Sequence, residues 1–556
     1  PQSNIEGVFP KDYVYYPLKI VVNPNGRFYV IARDLYEGIL SFDKDGNFEG
    51  FIGAPRVDPS PVDLFWKQFA TEKQRKKQKL FLPIEYSSID IDSRGFLYAV
   101  EAGITKNDSI KRLNPSGEDI LRKTGFHPPV GNVETWQDSI FLDIIARDFG
   151  GFSVLDKIDG EVFTYNKYGR LLYVFGGKGH QKGRTLTPIA LAQKAKKILV
   201  LDNRTGLVTI YRPTLYVKNI HQAIINYDNG MYDVAANKWE QVLIKNANFD
   251  LAYSGIGRNF LRKEKYKEAM IKFKKGNDRQ HYSEAFSYYR RIVINENFNL
   301  IIYALILILI LIYILIKYNI VSNFLNLNHN NPSHEAGTRI SRVKNSSGSS
   351  NLTNSLKYAL YVIFHPFDGF WELKHEKRGS ILSSSILVLL VTATYIFVRQ
   401  YTGFIFNYQD LSQLNIYMEL LSVLAPFMLW CISNWAVTTL MEGKGTFKEI
   451  YIATAYALVP IILINIPITI VSRYIILEEA SFYYFFMSFS IVWTMALLFF
   501  GIMTIHEYTV TKMIITFIIT TIGMGFIIFI ALLFFSLLNK LILFISQIYM
   551  EIYFRM

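Results

Sequence analysis

The hydrophobic and polar positions along the chain follow three patterns in succession. Up to about residue 215, short apolar runs rich in β-branched residues alternate with Asn/Asp-to-Gly turns, a pattern typical of small antiparallel sheets. From 216 to 298, apolar residues recur at helical spacing. From 299 onward, Ile, Leu and Phe form runs long enough to cross a bilayer. The sequence therefore predicts a multidomain protein with a β-rich, a helical and a membrane part.

The β-rich part, residues 1–215, is built from a repeated unit of strands joined by Asx-x-x-Gly turns. Such short strands form blades that bury their faces only against neighbouring blades. The copies resemble the NHL-repeat family of β-propellers over residues 16–213. Four blades are visible, whereas six are usual in that family. We therefore expect about two more blades in an N-terminal segment before Pro1, or in another chain. Because no apolar leader precedes Pro1, we also expect a missing signal peptide. The turns carrying the resemblance begin at Asn23, Asp43, Asp92, Asn114, Asn166 and Asp202.

An insertion between the first two blades contains Trp66 and Phe69, followed by a basic run at residues 72–79. An apolar stripe beside a basic face is compatible with a helix that touches a lipid surface or a partner. It is also compatible with a solvated helix on the propeller rim, which we favour. Trp66 and Phe69 are the candidate functional residues of this segment.

The helical part, residues 216–298, also repeats. Tyr232, Ala235 and Trp239 recur 34 residues later, as Tyr266, Ala269 and Phe273. This period resembles tetratricopeptide repeats, in which small residues let paired helices approach. The resemblance implies a module that binds peptides or proteins; a rigid spacer resting on the propeller or the membrane domain fits equally well. The pattern predicts helices at 218–229, 232–245, 249–262, 266–276 and 279–294.

The membrane part begins with a predicted transmembrane helix at 299–318, followed by a polar linker at 319–354 that we expect to be disordered. Residues 355–556 then form a polytopic domain. Basic residues cluster in the linker and in alternate loops, whereas the loops at 407–414 and 477–483 contain no Lys or Arg. The positive-inside rule therefore predicts a cytoplasmic linker and an extracytoplasmic N-terminal half in a multi-pass plasma membrane protein. The predicted spans of this domain lie at 380–398, 416–440, 450–471, 483–505 and 514–537.

Three motifs in the membrane part carry a second resemblance. The segments 365–371 (His-Pro-Phe-Asp-Gly-Phe-Trp), 443–449 (Gly-Lys-Gly-Thr-Phe-Lys-Glu) and 456–460 (Tyr-Ala-Leu-Val-Pro) resemble the five-span Yip family. The whole arrangement resembles a bacterial, Gram-positive surface protein family whose members are encoded beside carbohydrate ABC importers. That resemblance implies transporter permease subunits or a solute-binding protein as partners.

Composition and charge remove several classes of function. The net charge of +13 fits basic membrane flanks, and no nucleic-acid motif accompanies it. Cys431 is the sole cysteine and lies in an apolar run, which excludes disulfides and Cys-bound metals from the soluble half. We find no phosphate loop, nucleophile elbow or zinc-binding histidine pair, so we predict no catalytic residue, cofactor or metal. Four carboxylates could line a channel and bind a divalent cation: Asp90, Asp92, Asp143 and Asp156. For Asp90 and Asp92, capping of strand turns is the favoured role.

Within the spans, Glu419 is the only acid, and we expect it to snorkel from near the outer end of its span. Pro460 and Pro467 lack the N–H that would bond to a helical carbonyl, so they predict a kink in the third span, at 450–471. Glu419 and Pro460 are therefore the candidate functional residues of the membrane part. The sequence favours a non-enzymatic membrane accessory or scaffold protein. The alternatives are an extracellular ligand sensor and a propeller-based lactonase or lyase.

Overall fold

The computed structural model describes residues 16–33, 35–54, 85–101, 109–121, 139–317, 350–409 and 414–555. The chain divides into two compact units, Pro1–Asn259 and Phe260–Met556. The insertion that contains Trp66 and Phe69 lies outside the described residues, as does nearly all of the polar linker. The prediction of a membrane-touching or rim-bound helix at Trp66 and Phe69 therefore stays a prediction.

The described part of the first unit contains four antiparallel sheets whose strands follow one another in chain order. The first and third sheets have four strands, and the second and fourth have three. The strands are β1 Pro17–Val22, β2 Phe28–Ala32, β3 Ile39–Phe42, β4 Phe48–Ile52, β5 Tyr86–Ile91, β6 Leu97–Glu101, β7 Ile110–Leu113, β8 Phe141–Ala146, β9 Phe152–Asp156, β10 Glu161–Tyr165, β11 Leu171–Gly176, β12 Pro188–Lys194, β13 Lys197–Asp202 and β14 Val208–Tyr211.

The turns that the sequence singled out connect these strands in the expected way. Asn23 Oδ1 accepts hydrogen bonds from the backbone N–H groups of Asn25 and Arg27, at 2.9 and 3.0 Å. Gly26 then adopts a φ of +85°, a conformation that a residue with a Cβ rarely takes. The side-chain oxygen thus accepts the hydrogen bonds of the turn, and the glycine adopts the positive φ that lets the chain turn back. The same pair of bonds forms at Asp43, Asp92, Asn114 and Asn166.

The sheets pack as successive blades of an arc, with β1, β5, β8 and β12 as neighbouring innermost strands. Apolar side chains fill each space between blades. Tyr29 and Ile39 of the first blade meet Ile89 and Leu97 of the second. Equivalent clusters lie between the second and third blades and between the third and fourth. The sequence prediction of blade-like sheets is confirmed.

Three helices follow the last blade: α1 Leu215–Asp228, α2 Tyr232–Lys245 and α3 Asp250–Arg262. Thr214 caps α1, accepting from the N–H of Val217. A Cβ added at Gly255 would lie 2.3 Å from the Trp239 indole nitrogen, so glycine permits α3 to approach α2. On the third blade, the Tyr173 hydroxyl lies 2.8 Å from His221 of α1. The first helices thus rest on the β-rich part.

The second unit is helical throughout its described residues, and α3 runs across the boundary between the units. Two further helices lie where the sequence predicts helices, and the remaining ones belong to the membrane part. They are α4 Tyr266–Lys275, α5 Arg279–Glu296, α6 Phe298–Lys317, α7 Ser350–Phe364, α8 Pro366–His375, α9 Ile381–Tyr401, α10 Ile416–Leu440, α11 Phe447–Ala457, α12 Val459–Val471, α13 Ala480–His506 and α14 Val510–Arg555. A short 3-10 helix, Leu477–Glu479, precedes α13.

Five segments among the described residues are long and apolar enough to cross a membrane. They overlap the predicted spans, and α11 and α12 together form the third. The last segment continues to Phe554, well beyond the predicted end at 537. Helices α5 and α6 bend by 77° at their junction and would make a sixth candidate if counted together. The described apolar side chains of α6 are exposed, as expected of a surface that lipid would cover. The five segments are Ile381–Tyr401, Ile416–Leu440, Phe447–Val471, Leu477–His506 and Val510–Phe554.

The membrane helices alternate in direction, so their connections fall into two groups. We call residues 376–380, 441–446 and 507–509 the linker-side loops, and residues 402–409, 414–415 and 472–479 the α5-side loops. Between them lies one large apolar core, with Phe370, Tyr456 and Ile502 fully buried. Gly501 of α13 faces the Phe370 ring, which an added Cβ would approach to 2.8 Å.

Candidate functional site

One face of helix α5 binds the α5-side loops. Its contacting residues fall at positions i, i+3, i+4, i+7 and i+11, which form a single stripe on an α-helix. The stripe begins with an arginine, ends with an arginine, and has apolar and small residues between. It consists of Arg279, Tyr282, Ser283, Phe286 and Arg290.

The C-terminal part of this stripe is held by a bidentate ion pair. Arg290 places its two terminal nitrogens 2.8 Å from the two carboxylate oxygens of Glu479, and it also donates to the carbonyl of Tyr474 at 2.9 Å. About two turns earlier, Ser283 Oγ accepts from the backbone N–H of Leu477 at 2.7 Å. A fork of two parallel bonds fixes direction as well as distance. The helix is therefore oriented on the 3-10 helix that ends the last α5-side loop.

The N-terminal part of the stripe binds the loop after α9. Arg279 donates to the carbonyl oxygens of Phe404 and Asn407, at 3.2 and 2.7 Å. Its guanidinium lies over the rings of Phe404 and Tyr408, 5.1 and 4.5 Å from their centroids. Tyr282 meets the Phe404 ring edge-on at 4.9 Å. Arg279 thus binds both the carbonyl oxygens and the aromatic faces of this loop.

Glu419 lies in the first turn of α10 and is 6% exposed. Its carboxylate forms an ion pair with Arg399 in the last turn of α9, at 3.1 Å. The expectation that Glu419 snorkels away from its span is therefore wrong: an opposite charge on the neighbouring helix compensates it within the protein. Sequence reasoning missed Arg399 because it searched for acids inside spans. The available signal was a pair of opposite charges, Arg399 and Glu419, at the two ends of the connection between the first and second spans.

Pro460 lies at the start of α12, where its missing N–H costs no helical hydrogen bond. The helix is broken at Leu458, whose N–H bonds to the carbonyl of Ala455, and Ile461 bonds to Leu458 in turn. Pro467 lies inside α12. The break falls at the predicted proline, while a functional role for Pro460 stays a prediction.

The linker-side loops contain the Gly-Lys-Gly-Thr segment, and His506 holds it. His506 Nδ1 accepts from the backbone N–H of Gly445 at 3.1 Å, and Nε2 lies 3.3 Å from the side-chain oxygen of Asn434. This pairing requires the neutral Nε2–H tautomer. A Cβ added at Gly443 or Gly445 would lie within 2.7 Å of the His506 ring, so both glycines are needed for close approach.

Glu507, next to His506, joins two lysines in the same group of loops. It lies 2.7 Å from Lys374 and 2.6 Å from Lys444. The hydrogen bonds from Lys374 and then Lys444 lower the pKa of Glu507 to about 2. The carboxylate is therefore ionised throughout the physiological range and connects the end of α8 to the Gly-Lys-Gly-Thr loop.

The β-rich part collects carboxylates near its inner strands, and these hold backbone and side-chain donors. Asp143 of β8 accepts from Lys19 of β1, Ser88 of β5 and the N–H of Leu191 on β12, at 2.5, 2.6 and 2.7 Å. One carboxylate thus connects all four inner strands. Asp90 accepts from the N–H of Ala146 at 2.7 Å, and burial raises its pKa.

The two other carboxylates also cap backbone. Asp92 accepts from the N–H groups of Arg94 and Phe96, and Asp156 from that of Ile140. Among the described residues, no group of three or more His, Cys, Asp or Glu side chains could hold a metal ion. Asp92 thus caps its strand turn as the sequence predicted, whereas Asp90 bonds instead to the backbone of the neighbouring blade.

Each end of the arc carries apolar side chains that no neighbouring blade covers within the part of the chain that the structure describes. Ile20, Ile89, Ile144 and Leu191 occupy the same register position of the four inner strands, one residue after the irregularity that each of them contains. Ile89 and Ile144 are 0% exposed and Leu191 is 5% exposed, whereas Ile20 is 59% exposed. Equivalent positions of the inner strands are therefore buried between blades, and the exposed one, Ile20, lies where no further blade is found among the described residues. We call the side chains of Leu18, Ile20 and Val22 the first open face.

A second open face lies at the other end of the arc. Val208 and Ile210 of β14 are half exposed, and they share their face of the sheet with Leu199 and Leu201 of β13. The opposite face of this blade is buried against the third. Both ends of the arc are thus suited to contact with further sheet structure.

Residues 360–533 match the family model of the Yip1 domain. The C-terminal region therefore contains a Yip1 domain, and all three motifs that suggested it fall within this range. A comparison with curated proteins finds no match.

Several solved structures resemble the β-rich part. A catalytically inactive virginiamycin B lyase from Staphylococcus aureus, with quinupristin, is 11% identical, at a TM-score of 0.21 over 36% of this chain and 56% of that one. A protein of unknown function from Bacteroides thetaiotaomicron is 14% identical, at a TM-score of 0.21 over 34% and 46%. A Lactobacillus plantarum protein is 16% identical, at 0.21 over 36% and 56%. The chain spans about half the length of these proteins, and TM-scores this low carry no functional inference.

Proposed function

We propose that this chain is a non-enzymatic scaffold or accessory protein of a bacterial plasma membrane. In this proposal, an extracytoplasmic NHL-type propeller arc and tetratricopeptide-like helices dock a protein partner, and the Yip1 domain anchors them. The partner is an exported protein with a β-sheet face, such as the solute-binding protein of a carbohydrate ABC importer. The permease subunits would neighbour the membrane domain.

The two open faces of the arc support the proposal. Burying a Val, Leu or Ile side chain contributes about 1.5–3 kcal/mol. Five side chains on these faces, each about half exposed, would therefore contribute about 4–8 kcal/mol when covered: Leu18, Ile20, Val22, Val208 and Ile210. Association itself costs about 4–15 kcal/mol, so the faces alone bind weakly.

Weak docking suits a membrane-anchored protein. A tether that holds two components near each other replaces a bimolecular encounter by an intramolecular one and raises capture without new contacts. The α5 stripe supports this role, because Arg279 and Arg290 fix the last soluble helix on the membrane domain through loop carbonyls and a carboxylate. No chemistry is required of the docking surface.

Photo-crosslinking tests the docking surface in the full-length chain. A photoreactive amino acid at Ile20 or at Val208 should form adducts that contain a second protein, whereas the same group at Leu171 should not. Leu171 is a matched control because it is exposed and apolar but lies on the outer strand of an interior blade. Adducts confined to the chain itself would contradict partner docking, as would equal adducts at all three positions.

Sidedness is part of the proposal and rests on the positive-inside rule. The linker-side loops and their flanks contain Lys374, Lys377, Arg378, Lys444 and Lys512. Protease added to intact cells should degrade the N-terminal half, and survival of that half would contradict the orientation.

A further inference from the structure

The α5-side loops and the α4–α5 turn enclose an open pocket of about 770 Å³. Its floor is formed by the loop after α9 and by Ser472 and Arg473, and its wall by residues 274–282. Volumes of this size are typical of sites that take a small molecule. The pocket lies where α9 and α12 end, which is the depth of a lipid headgroup if these helices span the membrane.

The lining of this pocket is positively charged. Lys274, Arg279 and Arg473 line it, and none of its described lining residues is Asp or Glu. Of the acids in neighbouring positions, Glu479 forms an ion pair with Arg290 at 2.8 Å, and Asp278 lies 2.9 Å from the His281 ring. Asp410 lies outside the described residues. Within the described ranges, Lys274, Arg279 and Arg473 form no ion pair with an acid, and a group of three cations favours an anionic occupant.

Both arginines are held in place while retaining free donors. Arg473 donates from Nε to the carbonyl of Tyr401 at 2.9 Å, and its guanidinium lies over the Tyr401 ring at 5.3 Å. Arg279 uses Nε and Nη2 on loop carbonyls. Among the described residues, no acceptor faces Nη1 of Arg279 or either terminal nitrogen of Arg473. Side chains fixed in advance lose little entropy when a ligand binds.

The remaining lining residues indicate what the uncharged part of the ligand would contact. Tyr282, Phe404 and Tyr408 supply aromatic surface, and Gln400 and Gln409 supply amides. The two terminal nitrogens of Arg473 form a planar fork that matches two oxygens of a phosphate. A doubly charged phosphate also has oxygens and charge left for Arg279 and Lys274.

We propose that this pocket binds a phosphate group carried on a glycerol-sized body. The phosphate lies between Arg279, Arg473 and Lys274, and the body lies against the aromatic wall. An anionic phospholipid headgroup and a soluble glycerol phosphate share this chemistry. The inference goes beyond the proposed scaffold function and does not depend on it.

Binding measurements on the full-length protein test the proposal. Purified protein in neutral detergent is titrated with inorganic phosphate and with glycerol 3-phosphate. Protein in nanodiscs of phosphatidylcholine, with or without phosphatidylglycerol, is analysed for retained lipid by native mass spectrometry. Binding of glycerol 3-phosphate in detergent identifies a soluble ligand, and selective retention of phosphatidylglycerol identifies a lipid. Either result supports the site.

Variants separate this pocket from general attraction to a basic protein. Arg473→Gln should weaken binding about tenfold, equivalent to about 1.4 kcal/mol. Adding Lys274→Gln to the Arg473→Gln variant should weaken binding further. Arg473→Lys keeps the charge but loses the fork, so it should fall between the wild type and Arg473→Gln. Arg291→Gln is the matched control, since it removes an exposed charge from α5 outside the pocket. Equal losses in Arg473→Gln and Arg291→Gln, or no binding of any probe, would overturn the proposal.

Discussion

The packing of α10 against α14 gives a sharp prediction, because two glycines only two residues apart in α14 have opposite environments. A Cβ at Gly523 would lie 2.6 Å from the Ser433 hydroxyl oxygen, whereas a Cβ at Gly525 would meet nothing within 4 Å. Ser433 in turn donates to the carbonyl of Thr520 at 2.7 Å. The substitutions Gly523→Ala and Gly525→Ala therefore make the same chemical change in one helix, with and without a steric conflict.

The magnitude follows from the distances. Ordinary contact begins near 3.4 Å, so the Cβ of Gly523→Ala falls short of it by about 0.8 Å. Overpacking of this kind costs about 1–3 kcal/mol. Alanine also favours a helix over glycine by up to about 1 kcal/mol, and this gain is common to both variants. The two variants should therefore differ in free energy of unfolding by about 1–3 kcal/mol, with Gly525→Ala the more stable.

Unfolding of the full-length protein in mixed micelles, titrated with SDS and followed by tryptophan fluorescence, measures this difference. A second substitution tests its cause: Ser433→Ala removes the oxygen that the new methyl group meets, leaving neighbours at 3.8 and 3.9 Å. Gly523→Ala should then cost little in the Ser433→Ala background, a coupling that a double-mutant cycle detects. Equal midpoints for Gly523→Ala and Gly525→Ala would refute the packing of these two helices.

Two further predictions concern charges. Burial lowers the pKa of His221 to about 3 from its ordinary 6.5, so the unfolded chain binds a proton over this range and the folded chain does not. The first unit should therefore lose stability as pH falls from about 6.5 toward 3, by at most about 1.4 kcal/mol per pH unit for this group. His221→Phe should flatten that slope, measured by hydrogen exchange in α1 at pH 5 to 7; an unchanged slope would contradict the burial. Glu419→Gln leaves the partly buried Arg399 unpaired and should lower the free energy of unfolding by about 1–3 kcal/mol, a range between exposed and buried pairs. Replacing both residues by Leu should recover part of this loss in the same SDS titration, and no recovery would argue against the pair.

The sequence predicted the elements of this protein well, because each depends on local chemistry. Asx-x-x-Gly turns carry their own acceptor and their own positive φ, as Asn23 and Gly26 illustrate. The membrane helices needed only the length and uniformity of their apolar runs. Neither feature requires knowledge of what lies beside the element.

Properties that depend on neighbours could not be predicted in the same way. Ile20 and Ile89 stand in strands of the same pattern, yet one is exposed and the other buried. The difference lies in whether a blade covers the strand, and strand periodicity carries no information on that. The α5 stripe is similar: arginines at positions 279 and 290 look like a solvated helix face until the loops that they bind are placed beside them.

The distribution of arginines at the α5-side loops links the pocket to the proposed orientation. The positive-inside rule disfavours Lys and Arg in short extracytoplasmic loops, and the loop windows at 407–414 and 477–483 obey it. Four arginines nevertheless reach this end of the domain in three dimensions. Arg399 is balanced by Glu419 and Arg290 by Glu479, so these two add no net charge. Arg279 and Arg473 have no such partner among the described residues, and both line one pocket. An anionic ligand would supply a countercharge for these two arginines, which reconciles an extracytoplasmic position of these loops with the arginines that have no partner among the described residues.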